Sequence, residues 1–307
     1  MSQPHESVLL NEVITAFDGC LLHTFVDCTL GAGGHSAALL KAHPEIKLLV
    51  GIDQDPMARS IAEKRLEPWK EKTHILAGNF RALAELLDSI GVKTVDGMLM
   101  DLGVSSMQLD QPEKGFSFMR EGPLDMRMDP SAELTAAEVI NHYSEQQLGR
   151  IFRDYGEEKQ WRKAAYTVVQ ARPLQSTKQL ADLLYPVLVR KAKKGIHPLT
   201  LIFQGLRIYV NQELEVLEST LPLAIDHLSQ SGRLAVISFH SLEDRIVKNF
   251  FRYQASDKED TSGVGGLFLD KKPRLKLLTR RPLMPTEEES NRNPRSRSAK
   301  MRVVELI

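Results

Sequence analysis

A glycine-rich turn and an acid downstream of it are the first residues that could do chemistry. Residues 31–35 read Gly-Ala-Gly-Gly-His and follow an apolar run, as at a strand that ends in a tight turn. Glycines there adopt positive φ and let a ligand approach the backbone. Asp53 ends a second apolar run, 22 residues after Gly31, near the spacing at which a carboxylate binds a ribose. The pattern predicts a nucleoside-containing cofactor; the alternative is a tight turn beside a solvated acid.

The residues around the turn separate the possible cofactors. A dinucleotide-binding turn carries a third glycine or an alanine where this sequence has Ser36. A phosphate-binding loop would need a Gly-Lys-Ser/Thr run, which is absent from the turn. S-adenosylmethionine has a ribose and an adenine but no phosphate, so it requires the acid without a phosphate cradle. The sequence therefore favours a methyltransferase over a nucleotide-dependent oxidoreductase.

Two further strand ends bring residues to the same edge of the predicted sheet. The apolar run 95–100 leads into Asp101, and the run 74–77 leads into a turn that contains Phe80. Because the carboxyl ends of parallel strands share one edge, we expect Asp101 to face the same crevice as Gly31 and Asp53. Phe80 could stack on an adenine or fill the core, and the residues alone favour the core.

The elements that must position these residues define an α/β fold class. Strand and helix patterns alternate from residue 24 to residue 101, including a strand at 48–53, a helix at 56–66 capped by Asp55, and a helix at 81–90. This alternation predicts a doubly wound parallel sheet. Residues 107–205 show little strand pattern but three capping-box sequences, at Thr135, Ser144 and Ser176. We therefore predict an inserted all-helical domain at 107–205 between sheet segments 1–106 and 206–307.

The second sheet segment is predicted to complete the fold. A helix at 202–221 leads back to a fifth strand at 232–239, and Ser241 with Asp244 three residues later predicts the cap of a helix that ends near residue 252. A polar, glycine-rich loop spans 255–270. Two final strands, at 275–278 and 301–306, are expected to be antiparallel.

Charge is neutral overall but unevenly distributed. The 307 residues, enough for about two domains, include 40 basic and 40 acidic side chains. Residues 271–302 hold eleven basic and three acidic side chains, and no acid lies between Asp182 and Glu213, where Arg190, Lys191, Lys193, Lys194 and Arg207 occur. Two basic stretches indicate a polyanionic partner such as nucleic acid. The alternative is a solvated tail.

Cysteine and histidine usage predicts neither a disulfide framework nor a metal site. Cys20 and Cys28 are the only cysteines, and the nine histidines show no zinc-ligand spacing. Reduced thiols, no signal peptide and no apolar run long enough to span a membrane predict a cytoplasmic protein without a membrane partner. Both a monomer and a dimer fit the sequence.

The sequence resembles the MraW (RsmH) family of ribosomal RNA methyltransferases over nearly its whole length. The resemblance rests on residues 5–10, 31–36, 52–56, 101–110, 115–118, 122–128, 155–158, 238–245 and 293–298. It implies a class I (Rossmann-like) methyltransferase sheet with an inserted helical domain that faces RNA. It also implies S-adenosylmethionine as cofactor and N4 of a cytidine in the decoding centre of small-subunit rRNA as methyl acceptor.

By the same resemblance, seven residues line the S-adenosylmethionine site. They are Gly33, Gly34, His35, Asp53, Phe80, Asp101 and Gln108. The resemblance turns Phe80 from a core residue into a neighbour of the adenine. It agrees with the spacing argument for Asp53.

The N4 amine of cytosine poses the chemical problem, because its lone pair is conjugated into the ring. Methylation needs a hydrogen-bond acceptor that localises this lone pair and takes a proton, and in-line placement of the amine. Many amino-methyltransferases use an Asp/Asn/Ser-Pro-Pro-aromatic loop after the fourth strand, where this sequence has Asp101-Leu102-Gly103. Asp101 is the predicted acceptor, with Ser105 or Ser106 orienting the base. A purely cofactor-binding role for Asp101 is an equal alternative.

Several family-like residues have both a functional and a structural interpretation. Asp125, Arg127 and His240 could shape the cytidine pocket, but structural roles are slightly favoured. For Asp125 and Arg127 that role is a buried ion pair that holds the inserted domain to the sheet. For His240 it is a helix cap or a residue that supports the pocket from behind. Three aromatic residues could stack on an extruded cytidine, namely Phe116, Phe118 and Tyr155.

One run departs from the family's pattern. In residues 197–208, Leu201 replaces the usual arginine and Gly205 the usual alanine, so the RNA contacts of this run stay open. An RNA-binding assembly factor without catalysis is another alternative, and the intact glycine turn, Asp53 and Asp101 argue against it. Basic stretches far apart in sequence favour an assembled subunit over free RNA as substrate.

Overall fold

The computed structural model describes residues 7–191, 195, 197–260 and 268–307. Some features singled out in the sequence lie outside these residues: residues 5–6 of the first family-like run, Lys193, Lys194 and residues 261–267 of the polar loop. The side chains of Ser106 and Lys191 also lie outside. The chain divides into a sheet unit, Met1–Gly103 with Leu214–Ile307, and a helical unit, Val104–Glu213.

Nine strands lie within the described residues. They are β1 (Thr24–Asp27), β2 (Leu48–Asp53), β3 (Thr73–Ala77), β4 (Val95–Asp101), β5 (Leu228–Ser238), β6 (Lys258–Asp260), β7 (Phe268–Asp270), β8 (Leu275–Leu277) and β9 (Lys300–Leu306). β6 and β7 form an antiparallel ribbon, and the other seven form one sheet in the order β3-β2-β1-β4-β5-β9-β8. β1 to β5 are parallel, whereas β9 is antiparallel to β5 and β8. β1 lies between β2 and β4, where the strand order reverses and ligands bind in such sheets.

Thirteen α-helices lie within the same described ranges. They are α1 (Leu10–Ala16), α2 (Gly34–Ala42), α3 (Pro56–Leu66), α4 (Leu83–Ser89), α5 (Ser106–Asp110), α6 (Ala136–His142), α7 (Glu145–Arg150), α8 (Trp161–Gln170), α9 (Thr177–Leu188), α10 (Thr200–Asn211), α11 (Glu213–Asp226), α12 (Ser241–Ala255) and α13 (Glu287–Arg292). Helices α5 to α10 belong to the helical unit.

The sheet is buried on both faces. Because successive side chains of a strand point to opposite faces, Phe25 packs in one apolar core with residues of α1, α2 and α3. Val26 packs in the other core with residues of α4, α11 and α12. Burial on both faces explains why these strands read as continuous apolar runs. The polar residues of the central strands are therefore concentrated at the strand ends.

The helical unit has an apolar core of its own. Most of its fully buried side chains come from α6 to α10, for example Leu148, Leu184 and Leu206, and Phe152 joins them from the turn that follows α7. Helix α7 continues into a π-helical turn, Ile151–Tyr155.

Most of the predicted sheet elements are confirmed, but β5 begins at Leu228 rather than at the predicted residue 232, and two helices differ. β2, α3 with its Asp55 cap, and β4 have the predicted bounds, and the final strands are antiparallel. The predicted start of the helix at 81–90 was wrong. Phe80–Ala82 forms a 3-10 turn, and α4 begins after it, at Leu83. The single helix predicted at 202–221 is two helices, because Gln212 has φ 51 and breaks the helical path.

The three predicted capping boxes differ in completeness. Ser144 and Gln147 make both reciprocal bonds. Thr135 accepts from Glu138 N–H, and Ser176 accepts from Gln179 N–H. The Gln179 side chain accepts from Gln175 N–H, whereas a complete capping box would have it accept from Ser176 N–H.

Candidate cofactor site

The glycine turn joins β1 to α2. Gly31 has φ 52 and Gly33 has φ 73, in the left-handed region that glycine adopts most readily. Gly33 is the N-cap of α2 and has no side chain to cap it, so the N–H groups of Gly34 and His35 have no acceptor within the helix. A side chain at position 34 would clash with its surroundings, because a Cβ on Gly34 would lie 2.1 Å from Ser7 Oγ. The turn therefore presents N–H groups and the positive end of a helix dipole beside β1.

Asp53 ends β2, and its carboxylate holds the glycine turn. Oδ2 accepts a hydrogen bond from Gly31 N–H at 2.8 Å, and Oδ1 accepts one from Asp55 N–H at 2.8 Å. Burial raises the pKa of Asp53, and these two bonds offset part of the rise. Each carboxylate oxygen has a second lone pair, which suits the hydroxyl groups of a ribose. The two residues that the spacing singled out are thus in direct contact.

Phe80 begins the 3-10 turn that follows β3. Its neighbour Asn79 caps this turn through a 2.9 Å bond from Arg81 N–H, and donates to Gln54 Oε1 at 3.0 Å. Gly78 N–H donates to the Asp53 carbonyl at 3.2 Å. These bonds hold the end of β3 beside the end of β2. Phe80 is half-buried and packs against the second core, so it has a packed face and an exposed face.

Asp101 ends β4 beside His35 of α2. Asp101 Oδ2 lies 3.6 Å from His35 Nδ1, and Asp101 N–H donates to Thr29 Oγ1 at 2.7 Å. Oδ1 is buried without a hydrogen-bond partner among the described residues. Burial raises the pKa of Asp101 to about 6; the charge of His35 opposes the rise, and Asp27 and Glu243 add to it. A carboxyl group that titrates near neutrality can both take and release a proton.

Three residues of this cluster were missed by the sequence analysis. Asp27, at the end of β1, accepts from Ser36 Oγ at 2.7 Å, and burial raises its pKa while that bond opposes the rise. Thr29 orients the Asp101 backbone, and buried Glu243 adds negative charge. Asp27 had a signal, because it ends the strand before the glycine turn. Glu243 comes from a helix distant in sequence, and its only signal was its place in the family-like run 238–245.

The cap predicted for α12 was wrong. His240, rather than Ser241, is the N-cap residue, and its partner is Glu243 rather than Asp244. Glu243 Oε2 accepts from Phe239 N–H at 2.7 Å, while His240 Nδ1 lies 3.4 Å from Glu243 N–H. Histidine competes for this position because its ring nitrogen can accept the bond that a hydroxyl usually accepts. The structural interpretation of His240 as a cap is the observed one.

Asp244 has a different role. It binds Arg302 Nε at 2.7 Å and Lys300 Nζ at 3.4 Å. Burial pushes the pKa of Asp244 upward, but the bonds and charges of Arg302 and Lys300 outweigh it, and the pKa is lowered. The residue ties α12 to β9.

Gln108 belongs to the helical unit and caps α5. Its Oε1 accepts from Ser105 N–H at 3.0 Å, and Ser105 Oγ accepts from Gln108 N–H at 3.2 Å. This complete capping box, which the sequence analysis missed, buries Gln108 and occupies Ser105. The predicted roles of Gln108 at the cofactor and of Ser105 at the base stay predictions.

Asp125 and Arg127 form an ion pair inside the helical unit. Arg127 donates to both carboxylate oxygens at 2.8 Å and to the carbonyls of Pro130 and Ala132. Burial raises the pKa of Asp125, but the bonds from Arg127 outweigh it, and the pKa is lowered. The pair is partly exposed, so the favoured interpretation as a buried pair was wrong, and its further bonds to Pro130 and Ala132 brace its own loop.

The three aromatic residues predicted to stack on a cytidine pack within the helical unit. Phe116 is buried, Phe118 stacks on His197 at 4.5 Å, and Tyr155 meets Tyr209 edge to face at 5.6 Å. Their role at a base stays a prediction.

The unusual Gly205 has a packing role. A Cβ there would lie 2.9 Å from Gly156 N, so α10 approaches the backbone of the π-helical turn closely. Leu201, the other departure, is half-buried on α10.

The residues of the sheet unit fit S-adenosylmethionine. The N–H groups at the start of α2 suit its carboxylate, Asp53 suits the ribose, and the exposed face of Phe80 suits the adenine. The unpartnered Asp101 Oδ1 marks a carboxyl group that its own chain leaves unsatisfied among the described residues. A seven-stranded sheet with this strand order, parallel from β1 to β5, and these residues at its reversal point define a class I (Rossmann-like) methyltransferase with an inserted helical domain.

Comparison with known proteins identifies the family. The sequence model of the MraW methylase family matches residues 2–307, so the chain belongs to that family and is an S-adenosylmethionine-dependent methyltransferase. It is 60% identical to ribosomal RNA small subunit methyltransferase H of Protochlamydia amoebophila, over 99% of this chain and 98% of the relative. It is 46% identical to the protein of the same name from Carboxydothermus hydrogenoformans, over 100% of this chain and 99% of that relative.

Two further observations complete the comparison. An rRNA methylase structure from Streptococcus thermophilus aligns over 100% of this chain and 99% of its own, at 10% identity and a TM-score of 0.44, a likeness too low to add to the assignment. None of the described helices is long and apolar enough to cross a membrane.

Proposed function

We propose that this chain transfers the methyl group of S-adenosylmethionine to N4 of a cytidine in small-subunit ribosomal RNA, at the position the family methylates, cytosine 1402 of 16S rRNA. The observation that carries the proposal is the linked set at the ends of β1, β2 and β4. Gly31 binds Asp53, and Asp101 lies beside His35. The relatives' name, ribosomal RNA small subunit methyltransferase H, supports the substrate class.

The donor would be held by the residues at these strand ends. We assign Gly33 and Gly34 to its carboxylate end, Asp53 to the ribose and Phe80 to the adenine. His35 contributes its backbone N–H, because its side chain is turned to Val8 and Asp101. Asp101 and Gln108 complete the proposed set.

Asp101 is proposed to act on the nucleophile. An ionised carboxylate that accepts a hydrogen bond from the N4 amino group localises the nitrogen lone pair and takes the proton released after transfer. A carboxyl pKa of about 6 leaves Asp101 largely ionised at pH 7 and able to hold the proton briefly. A purely donor-binding Asp101 predicts normal turnover once the donor saturates the site, so kinetics separate the two roles.

The RNA would contact the helical domain, proposed at about 107–205, and the basic C-terminal segment. In that segment Lys272, Arg280, Arg281 and Arg297 are exposed, and exposed cations suit the phosphates of a folded rRNA. The substrate is proposed to be an assembled subunit rather than free RNA. The cytoplasm is the proposed location, since the small ribosomal subunit is there.

The decisive experiment is methyl transfer from tritiated S-adenosylmethionine to small subunits, followed by digestion to nucleosides. The expected product is labelled N4-methylcytidine, from subunits isolated from cells that lack the protein. Label in another nucleoside would contradict the assigned acceptor atom. Binding of subunits without any transfer would support a non-catalytic assembly factor.

A further inference from the structure

The tautomer of His35 is fixed by a backbone carbonyl. His35 Nε2 lies 2.8 Å from the Val8 carbonyl oxygen. A carbonyl oxygen only accepts hydrogen bonds, so Nε2 carries the hydrogen. In the neutral ring Nδ1 therefore holds a lone pair, and this nitrogen lies 3.6 Å from Asp101 Oδ2. The chain thus aims a basic nitrogen at the carboxyl group proposed to take the substrate proton.

The backbone of Asp101 is also held in place. Asp101 N–H donates to Thr29 Oγ1, which fixes the end of β4. Oδ1 has no partner among the described residues, while Oδ2 faces His35. The titratable groups whose charges act on Asp101 from neighbouring elements are His35 of α2, Asp27 of β1 and Glu243 of α12. Of these, only His35 can receive a proton and become a cation.

We propose that His35 is a positioning residue that acts through Asp101: its Nδ1 receives from Asp101 Oδ2 the proton that the methylated amine releases. The proposal rests on the proposed methyl transfer to an amine, because only that reaction delivers a proton to Asp101. The resulting imidazolium would lie beside the restored carboxylate as an ion pair. Asp101 is then ionised again while product leaves.

The atoms and charges balance over one turnover. The donor supplies a methyl group: N4 forms the new N–C bond with its lone pair, and the C–S bond breaks with its electron pair on sulfur. The cationic N4 loses one proton to Asp101 Oδ2. That proton passes to His35 Nδ1 and then to solvent. Enzyme charge is restored, and the solvent gains one proton per methyl group.

The titration of Asp101 is consistent with this role. Burial and the negative charges of Asp27 and Glu243 raise its pKa, and His35 lowers it. Loss of a charged His35 should therefore move the Asp101 pKa further up, toward retention of the proton. A histidine that never carries a proton on Nδ1 beside Asp101 would leave the titration of Asp101 unchanged after a replacement that keeps the bond to Val8.

Two variants of the full-length protein separate the two nitrogens of His35. His35→Gln keeps an N–H that can donate to the Val8 carbonyl but has no basic atom, whereas His35→Asn places an amide near Nδ1 and loses that bond. In the donor-free protein, carbonyl ¹³C NMR should show the Asp101 pKa of His35→Gln rising by about 1 from the wild-type value. An unchanged value in a folded His35→Gln would overturn the proposal.

Kinetics add a second readout. His35→Gln should lower kcat about 10-fold, leave KM for the donor unchanged, and move the acid limb of the kcat profile to higher pH. A fall confined to donor affinity, seen as a raised donor KM alone, would instead make His35 a donor-binding residue. If the variants do not fold, ¹⁵N NMR of the wild-type ring still decides: hydrogen on Nδ1 in the neutral ring would exclude acceptance from Asp101. The NMR measurements do not depend on which nucleoside is methylated. They can therefore contradict the role of His35 without contradicting the proposed function.

Discussion

In the sheet unit, the residues that the sequence singled out lie at strand ends and contact one another. Asp53 binds Gly31, and Asp101 faces His35. In the helical unit, the residues singled out for a pocket are engaged in the unit's own packing. Asp125 holds Arg127, and Phe118 stacks on His197.

The difference follows from how each unit buries its backbone. A parallel sheet satisfies its backbone within the ladder and leaves polar side chains at the carboxyl ends, where chemistry can collect. A bundle of short helices must satisfy many helix ends, and it uses Ser, Thr, Gln and Asp side chains to do so. A polar motif in the sheet unit therefore points to function more directly than one in the helical unit.

The largest effect is expected from Asp101→Asn. The amide is isosteric but cannot take a proton, so kcat at saturating donor should fall by about 10²- to 10⁴-fold. The measurement is methyl transfer to small subunits, with donor affinity determined separately by calorimetry. The matched control is Asp88→Asn, an exposed acid on α4 of the same unit. Unchanged turnover at saturating donor would remove Asp101 from catalysis and leave it a binding role.

Asp53→Ala should weaken donor binding without abolishing turnover. The variant loses a partly buried carboxylate that holds Gly31 and Asp55 and is proposed to bind the ribose. A hydrogen bond to a charged group is worth about 1.5–3 kcal/mol, so the Kd of the donor should rise about 10- to 100-fold. Calorimetry on the folded variant measures it. An unaltered Kd would mean that the acid only shapes the turn.

The sheet could be predicted because its signals are local. β2, α3 and β4 are defined by apolar runs and by Asp55-Pro56, which act within a few residues. Spacing alone singled out Gly31 and Asp53, but it did not predict the hydrogen bond between them. The cap of α12 could not be predicted in this way, because Ser241 and His240 offer competing caps and only the geometry of Glu243 decides.

The remaining site residues depend on long-range contacts. His35 is oriented by the Val8 carbonyl and Asp101 by Thr29. No periodicity or spacing rule encodes such pairs. The break between α10 and α11 at Gln212 could not be predicted from the sequence either. Glutamine has no intrinsic preference for positive φ, and both flanking stretches favour helix.

Gly122→Ala tests whether the helical unit is energetically separate. A Cβ there would lie 1.8 Å from the Pro112 carbonyl oxygen. The Gly122 backbone cannot shift freely, because its N–H and carbonyl both bond to Thr177. Overpacking of this kind costs about 1–3 kcal/mol, which denaturant unfolding should detect.

The Gly122→Ala variant also tests whether donor binding depends on the helical unit. Donor affinity at a temperature where the variant is folded should stay within about twofold of the wild-type value, since most of the proposed donor site is in the sheet unit. The control is Gly91→Asn, a left-handed surface position of the sheet unit that asparagine tolerates. A donor Kd that rises in Gly122→Ala would show that donor binding depends on the helical unit, which contains Gln108.

The smallest effect is expected from Arg280→Gln with Arg281→Gln. Both side chains are exposed in the basic segment 271–302, and removing two phosphate-binding cations should reduce the slope of log K against log salt concentration by about 2. The matched control is Arg274→Gln with Lys276→Gln, because these cations of the same segment already pair with Asp226 and Glu305. Filter binding to small subunits at several salt concentrations, without donor, measures both pairs. Equal weakening in the two double variants would mean that net charge alone attracts the RNA. Weakening confined to the Arg280 and Arg281 variant would extend the RNA-contacting surface to the sheet unit.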